Sequence, residues 1–296
     1  MLETSPSWLD RQRYPFAAHT FRTTRGQMHY VDEGEGAPIV FLHGNPTWSF
    51  LWRHLIARLV RDGYRCIAPD YLGFGLSEKP SLAGFSYRPP AHAACVEELI
   101  EGLGLKGVTL VMHDWGGPIG AAYATRHPAR VWRLVLFNTW MWPRRDSAFW
   151  LFSKALGSAA GRLAVTRGNA FARGVMPLAF GRRGRLSEAA HRHYLCPAST
   201  PAERLGHWAF AKALTGEAAW LGRLWRRRST LADKPALIGW GLRDPAFRAT
   251  ELRRWQHALP RARAYRLPTV GHYVPEEAGP ALAGPVAAFL RAAPGA

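Results

Sequence analysis

Four short runs with few polar residues recur along the chain: Pro38–Leu42 (PIVFL), Val108–Met112 (VTLVM), Val131–Phe137 (VWRLVLF) and Ala236–Trp240 (ALIGW). They lack the alternation of a strand with one wet face, as expected of strands covered on both sides. Helix-period stretches lie between the first three. Phe50–Val60 puts Leu51, Leu55 and Leu59 on one face, Ala91–Leu103 ends at Gly104, and Ile119–Thr125 stops at His127-Pro128. Arg65–Pro69 reads as a further strand, and Met28–Asp32, after a turn at Arg25-Gly26, as one arm of a hairpin. Strands alternating with helices predict an α/β fold, a mostly parallel central sheet flanked by helices.

The alternation then stops. Pro143–Thr230 holds no clear strand; it is Ala, Leu, Arg and Trp with Gly interruptions, and predicts several short helices. It resumes with Ala236–Trp240, a helix over Glu251–Leu259, a strand over Ala264–Leu267 and a helix over Ala281–Leu290. The chain thus reads as one core, residues 1–142 and 231–296, interrupted by a helical cap over 143–230, with no internal repeat or low-complexity tract.

Composition narrows the class. Of 296 residues 48% are hydrophobic and 20% charged, a balance that suits a packed chain rather than a disordered one. Three Cys, at 66, 95 and 196, form no CxxC pair and give no disulfide framework. The N-terminal stretch is polar, and no apolar run approaches the ~18 residues of a membrane span. A soluble, cytoplasmic protein is expected. The net charge of +18 is uneven: Pro143–Thr230 carries 14 Arg and 2 Lys against 3 Glu and 1 Asp, or +12. Such a face could meet nucleic acid or a membrane surface. No nucleic-acid-binding pattern accompanies it, so a solvated Arg-rich face and no specific nucleic-acid partner are expected.

Open parallel sheets bind ligands beyond the carboxyl ends of their strands. After Pro38–Leu42 comes His43-Gly44-Asn45-Pro46; after Val108–Met112, His113-Asp114-Trp115-Gly116-Gly117; after Ala236–Trp240, Gly241-Leu242-Arg243-Asp244-Pro245; after the last strand, Val270-Gly271-His272-Tyr273. Asp114 sits between a buried strand and a Gly-Gly helix start. This matches the nucleophile elbow usually written G-x-S-x-G, with Asp in place of Ser and Met112 in place of the first Gly. A plain helix N-cap is the alternative; the glycines and a His late in the chain favour the elbow. A carboxylate there suits attack on an electrophilic carbon bearing a leaving group, forming an ester that water must cleave. His272 would be the base for that water and Asp244 its charged partner. Their alternatives are a structural His and a turn residue before Pro245. Asn45 and Trp115 bring N–H donors for a departing halide, and their backbone N–H groups can form an oxyanion hole. As alternatives, Trp115 is packing and Asn45 a turn residue. His43-Gly44 and Asp70–Ser77 read as loop-shaping, and Gly73-x-Gly75 does not make a dinucleotide site. Trp140, Trp142, Phe149, Trp150 and Phe152 are either an apolar pocket wall or ordinary cap packing.

At these residues the sequence resembles the haloalkane dehalogenases of the α/β-hydrolase superfamily. The resemblance lies in Phe41–Arg53 (FLHGNPTWSFLWR), Asp70–Pro80 (DYLGFGLSEKP), His113–Gly120 (HDWGGPIG), Asp244-Pro245 and Gly271–Glu277 (GHYVPEE). It covers roughly residues 20–142 and 231–292, and is weaker in the cap, at Tyr194–Trp208. It implies Asp114 as nucleophile, His272 as base, Asn45 and Trp115 as halide donors, a haloalkane substrate, and neither metal nor organic cofactor. In one subfamily the acid is a Glu after the strand preceding the cap; here Phe137–Pro143 (FNTWMWP) has no carboxylate. Asp244 with an Asn/Trp halide pair looks like the third subfamily, which implies a possible homo-oligomer. Epoxide hydrolases share the elbow but use two cap Tyr, whereas Tyr194 is alone in Pro143–Thr230. Fluoroacetate dehalogenases place Arg after the nucleophile, where Trp115 stands, and coelenterazine luciferases resemble the Glu subfamily. A non-catalytic homologue would be expected to lack one of the five residues.

Overall fold

The computed structural model describes residues 6–144, 146–182 and 186–292. Eight strands form one sheet: β1 (His19–Thr23), β2 (Gly26–Glu33), β3 (Ala37–Leu42), β4 (Tyr64–Pro69), β5 (Val108–Asp114), β6 (Val131–Thr139), β7 (Ala236–Gly241) and β8 (Ala262–Leu267). Their order is β1-β2-β4-β3-β5-β6-β7-β8. β1 with β2 and β2 with β4 are antiparallel, and every later pairing is parallel. The helices α1 (Arg53–Arg61), α2 (Pro89–Gly102) and α3 (Gly116–Arg126) connect the strands up to β6.

All seven residues of β5 are buried, as the uninterrupted VTLVM run requires of a strand sandwiched on both faces. Successive residues alternate between two apolar layers. Leu110, Leu134 and Ile238 belong to one, Val111, Val135 and Leu237 to the other. The far edge, β8, is shielded instead by exposed Arg263 and Arg266, which discourage pairing with another chain.

Between β6 and β7 the chain leaves the sheet for α4 (Ser147–Gly157), α5 (Ala159–Thr166), a π-helical turn (Phe171–Val175), α6 (Met176–Leu178), α7 (Glu188–Leu195), α8 (Leu205–Gly216) and α9 (Ala218–Arg226). No strand occurs among the described residues of this segment. Specific bonds tie it down. Trp48 Nε1 donates to the His193 carbonyl at 2.7 Å, Tyr194 Oη donates to Glu276 at 2.6 Å, and Arg88 pairs with Glu217 at 2.5 Å.

The helices α10 (Ala249–Ala258) and α11 (Val274–Arg291) complete the core. The expected helix Ala281–Leu290 is only the second half of α11. Pro275 lies in its first turn, where a missing N–H costs nothing. Pro280 is exposed and Pro285 partly so, and the carbonyls they leave unpaired can meet water. The stretch expected to be helical from Phe50 begins as a 3₁₀ turn, Ser49–Trp52, before α1.

Candidate active site

The site is assembled where β3, β5, β6 and β7 end. Asp114, the last residue of β5, has φ +48°, a left-handed conformation that turns the chain sharply into α3. The turn is possible because its neighbours lack side chains. A Cβ on Gly44 would collide with the Asp114 carboxylate, and one on Gly116 with the Leu42 carbonyl. Thr139 Oγ1 donates to the Asp114 carbonyl at 2.5 Å and secures the elbow from β6. The carboxylate accepts the backbone N–H of Asn45 at 2.8 Å, and that of Trp115 also bonds it. Burial nevertheless raises the Asp114 pKa above the ordinary carboxylate range, because these N–H groups and His272 only partly offset the lost hydration.

His272 Nδ1 donates to Asp244 Oδ2 at 2.8 Å, which leaves Nε2 as the free basic nitrogen. Burial alone would depress the His272 pKa; the charge and hydrogen bond of Asp244, together with Asp114, outweigh it and hold it above the usual imidazole value. Asp244 is itself fixed from two sides. Its Oδ2 accepts from Asn138 Nδ2 at 2.7 Å and its Oδ1 from the Ala246 N–H at 2.7 Å. Asn138 (φ +28°) also exchanges two bonds with the backbone of Gly241, tying β6 to β7. His113 Nε2 donates to the His272 carbonyl at 3.0 Å. Burial holds the His113 pKa well below normal, so it is a neutral donor. Neither Asn138 nor His113 was singled out from the sequence. An amide where a related subfamily has a carboxylate was the one available signal for Asn138.

Asn45, Asp114, Trp115, Asp244 and His272 all line one cavity of about 760 Å³. The Trp115 indole is held edge-on to Trp140 (4.7 Å between ring centres) and tilted against Phe210 (5.4 Å). Asn45 Nδ2 donates to the His207 carbonyl of α8 at 3.1 Å, so part of its donor capacity is spent on the cap. The helical segment between β6 and β7 walls the cavity with Phe149, Phe152, Phe171, Val175, Leu178, Phe210 and Leu214. Of the five aromatic residues considered from sequence, Phe149 and Phe152 line it. Trp140 stands behind Trp115, stacked on Phe247 at 5.0 Å. Trp142 packs between Trp225 and Trp255, and Trp150 faces solvent. Tyr194 is bonded to Glu276 away from the cavity; the wall tyrosine is Tyr273, beside His272. Among the described residues no group of three or more His, Cys, Asp or Glu could hold a metal ion. Among the described residues no helix is long and apolar enough to cross a membrane.

Residues 37–278 match the family described as the alpha/beta hydrolase fold. Haloalkane dehalogenase 2 of Mycobacterium tuberculosis is 42% identical over 271 residues, spanning 91% of this chain and 93% of that protein. Cis-3-alkyl-4-alkyloxetan-2-one decarboxylase of Xanthomonas campestris is 36% identical over 282 residues, spanning 90% of this chain and 93% of its own. Among solved structures, a single-substitution variant of the haloalkane dehalogenase DatA from Agrobacterium tumefaciens matches with TM-score 0.84 and 30% identity, covering 93% of this chain and 97% of that one. The chain belongs to the α/β-hydrolase fold family, in the branch that holds the haloalkane dehalogenases.

Proposed function

We propose that this protein is a hydrolase that converts haloalkanes to alcohol, halide and proton through an alkyl ester of Asp114. The observation that carries the reading is a buried carboxylate at the elbow, in one cavity with a hydrogen-bonded His272–Asp244 pair. Asp114 attacks the halogen-bearing carbon from behind; the C–O bond forms as the C–halogen bond breaks, and the indole N–H of Trp115 and the amide of Asn45 receive the halide. His272 Nε2 then takes a proton from water, whose oxygen attacks the ester carbonyl. The backbone N–H groups of Asn45 and Trp115, already on the carboxylate, hold the developing oxyanion. Its collapse breaks the bond from the acyl carbon to the alkoxy oxygen; the alkoxide takes the proton from His272 and leaves as alcohol, and the regenerated Asp114 carboxyl gives its proton to solvent. Asp244 keeps the ring in the required tautomer and stabilises the imidazolium.

In this reading Asp244 is the acid of the third subfamily, Asn138 fills the place where another subfamily keeps Glu, and a cap over residues 143–230 closes the site. The test is His272→Phe. It should release about one halide per active site and then stall, with the alkyl group found by mass spectrometry on the peptide carrying Asp114. No burst and no adduct would exclude the covalent route.

A second reading rests on the decarboxylase relatives and on the size of the cavity, which lies in the range that holds drug-sized ligands. An oxetan-2-one that loses carbon dioxide leaves an alkene, with no halide involved. Supplying both substrate classes to the same preparation separates the readings, since halide release and alkene formation are scored independently.

A further inference from the structure

The outer face of the cap combines two properties that surface composition usually keeps apart. Between Asp146 and Glu188 there is no carboxylate at all, against six Arg and one Lys. Of these, Lys154, Arg162, Arg167 and Arg173 are exposed, and none forms an ion pair among the described residues. The same segment exposes large apolar side chains: Trp150 (51%), Leu151 (64%), Leu163 (52%) and Leu178 (71%). Scattered singly these would be ordinary, but all four fall in this one basic segment, between Trp150 and Leu178. Trp150 and Leu151 adjoin Phe152 on α4, Phe152 packs edge-on against Phe171, and Arg173 follows two residues later in the π-helical turn. Phe152 and Leu178 are exposed and also line the cavity, as do exposed Asp146, Ser147, Pro245, Arg248 and Thr250, so the cavity reaches the surface beside this segment.

We propose that this face of the cap docks on an anionic lipid surface, from which alkyl substrate enters the cavity between Phe152 and Leu178. It rests on the proposed function only in taking this cavity as the reaction site. Trp, Leu and Phe interleaved with arginine are the composition of an interfacial element, with apolar groups in the headgroup boundary and cations on anionic headgroups. A polyanion such as nucleic acid would use the cations but leave the apolar groups in water. A second copy of the chain would bring two like-charged faces together in a two-fold contact. The mouth's position gives the docking a purpose: a water-insoluble alkyl chain passes from bilayer to apolar cavity without crossing water.

The test is flotation of the full-length protein with phosphatidylcholine vesicles, with and without phosphatidylglycerol. Binding is expected only with the anionic lipid, falling as salt is added. Trp150→Ser combined with Leu151→Ser should weaken it roughly tenfold or more. Reversing Arg162, Arg167 and Arg173 to Glu should remove it, at about fivefold per basic residue even before the reversed charge counts. Neither Trp150 nor Leu151 lines the cavity, so the serine variant should release halide from a short, water-soluble bromoalkane as the parent does. Absence of flotation with anionic vesicles at low salt would overturn the proposal. So would a serine variant that floats like the parent, or equal binding of both to duplex DNA, which would assign the face to a polyanion. A dimer lost in the serine variant would assign it to self-association instead. Flotation without turnover of any haloalkane would instead count against the proposed reaction and leave the docking standing.

Discussion

The sheet edge and the cap face each other across one cavity and are built on opposite rules. At the sheet edge the two carboxylates and His272 are held by fixed partners: Asn45 and Trp115 N–H on Asp114, Asp244 on His272, Asn138 on Asp244, His113 on the His272 carbonyl. The cap offers mainly apolar surface inward and cations outward. The difference teaches where each property resides. Under the proposed function, chemistry would be held by backbone-anchored groups, whereas selection and delivery of substrate would fall to side chains that can change without disturbing them.

The contrast breaks first at the elbow. Asp114→Ala should abolish halide release altogether, leaving no burst in a pre-steady-state assay. Asp244→Asn should lose about 10⁴-fold in turnover, as when the charged partner of a catalytic His becomes an amide. Asp146→Asn is the cap-side control. Asp146 caps α4 and pairs with Arg144, so this change should leave turnover nearly untouched. If the two results were exchanged, the assignment of the acid would be wrong. Trp115→Phe keeps a ring but removes the donor, and should cost roughly 10²–10³-fold in kcat. Bromo- and iodoalkanes should outpace chloroalkanes, with fluoroalkanes inert; equal rates on fluoride and bromide would sink the halide role of Asn45 and Trp115. Phe152→Ala, at the mouth, should change KM for long substrates several-fold and leave kcat alone. A kcat effect as large as that of Trp115→Phe would erase the division of labour. Stability should follow the same divide. Leu110→Ala in β5 should cost about 2–5 kcal/mol by denaturant unfolding, and Leu151→Ala on the cap within about 0.5 kcal/mol.

The same division governs what could be read from the sequence. Strands buried on both faces announce themselves as apolar runs, and residues following such runs must share one edge of the sheet. Asp114 and Asp244 are therefore brought together by chain order, whereas His272 follows the last strand, β8, a partly exposed edge strand without such a run. Asn138, His113 and the His207 carbonyl were not legible in this way, because a residue that acts by holding another leaves no distinctive spacing. The carbonyl bonded by Asn45 belongs to the backbone and has no sequence signature at all. In the cap, helical periodicity showed that helices exist but not which face turns inward. Phe152 meets the cavity, and its neighbours Trp150 and Leu151 meet solvent. The reading of Ala281 as a helix start erred because Pro280 lies on the wet side of α11, where its missing bond is harmless.

The reciprocal influence of Asp114 and His272 sets an order of events. The negative charge of Asp114 is one of the causes that raise the His272 pKa, and His272 in turn helps keep Asp114 ionised. In the proposed mechanism the free Asp114 carboxylate would thus favour the charged form of the imidazole and make it a weaker base before the ester forms. Esterification would remove that charge. The His272 pKa would then fall, favouring the neutral ring at the point where that mechanism first needs a base. The first covalent step would thereby act as an interlock for the second. It gives a measurable sign: single-turnover ester hydrolysis should lose rate on acidification at a lower pH than that at which His272 titrates in the free protein, followed by NMR.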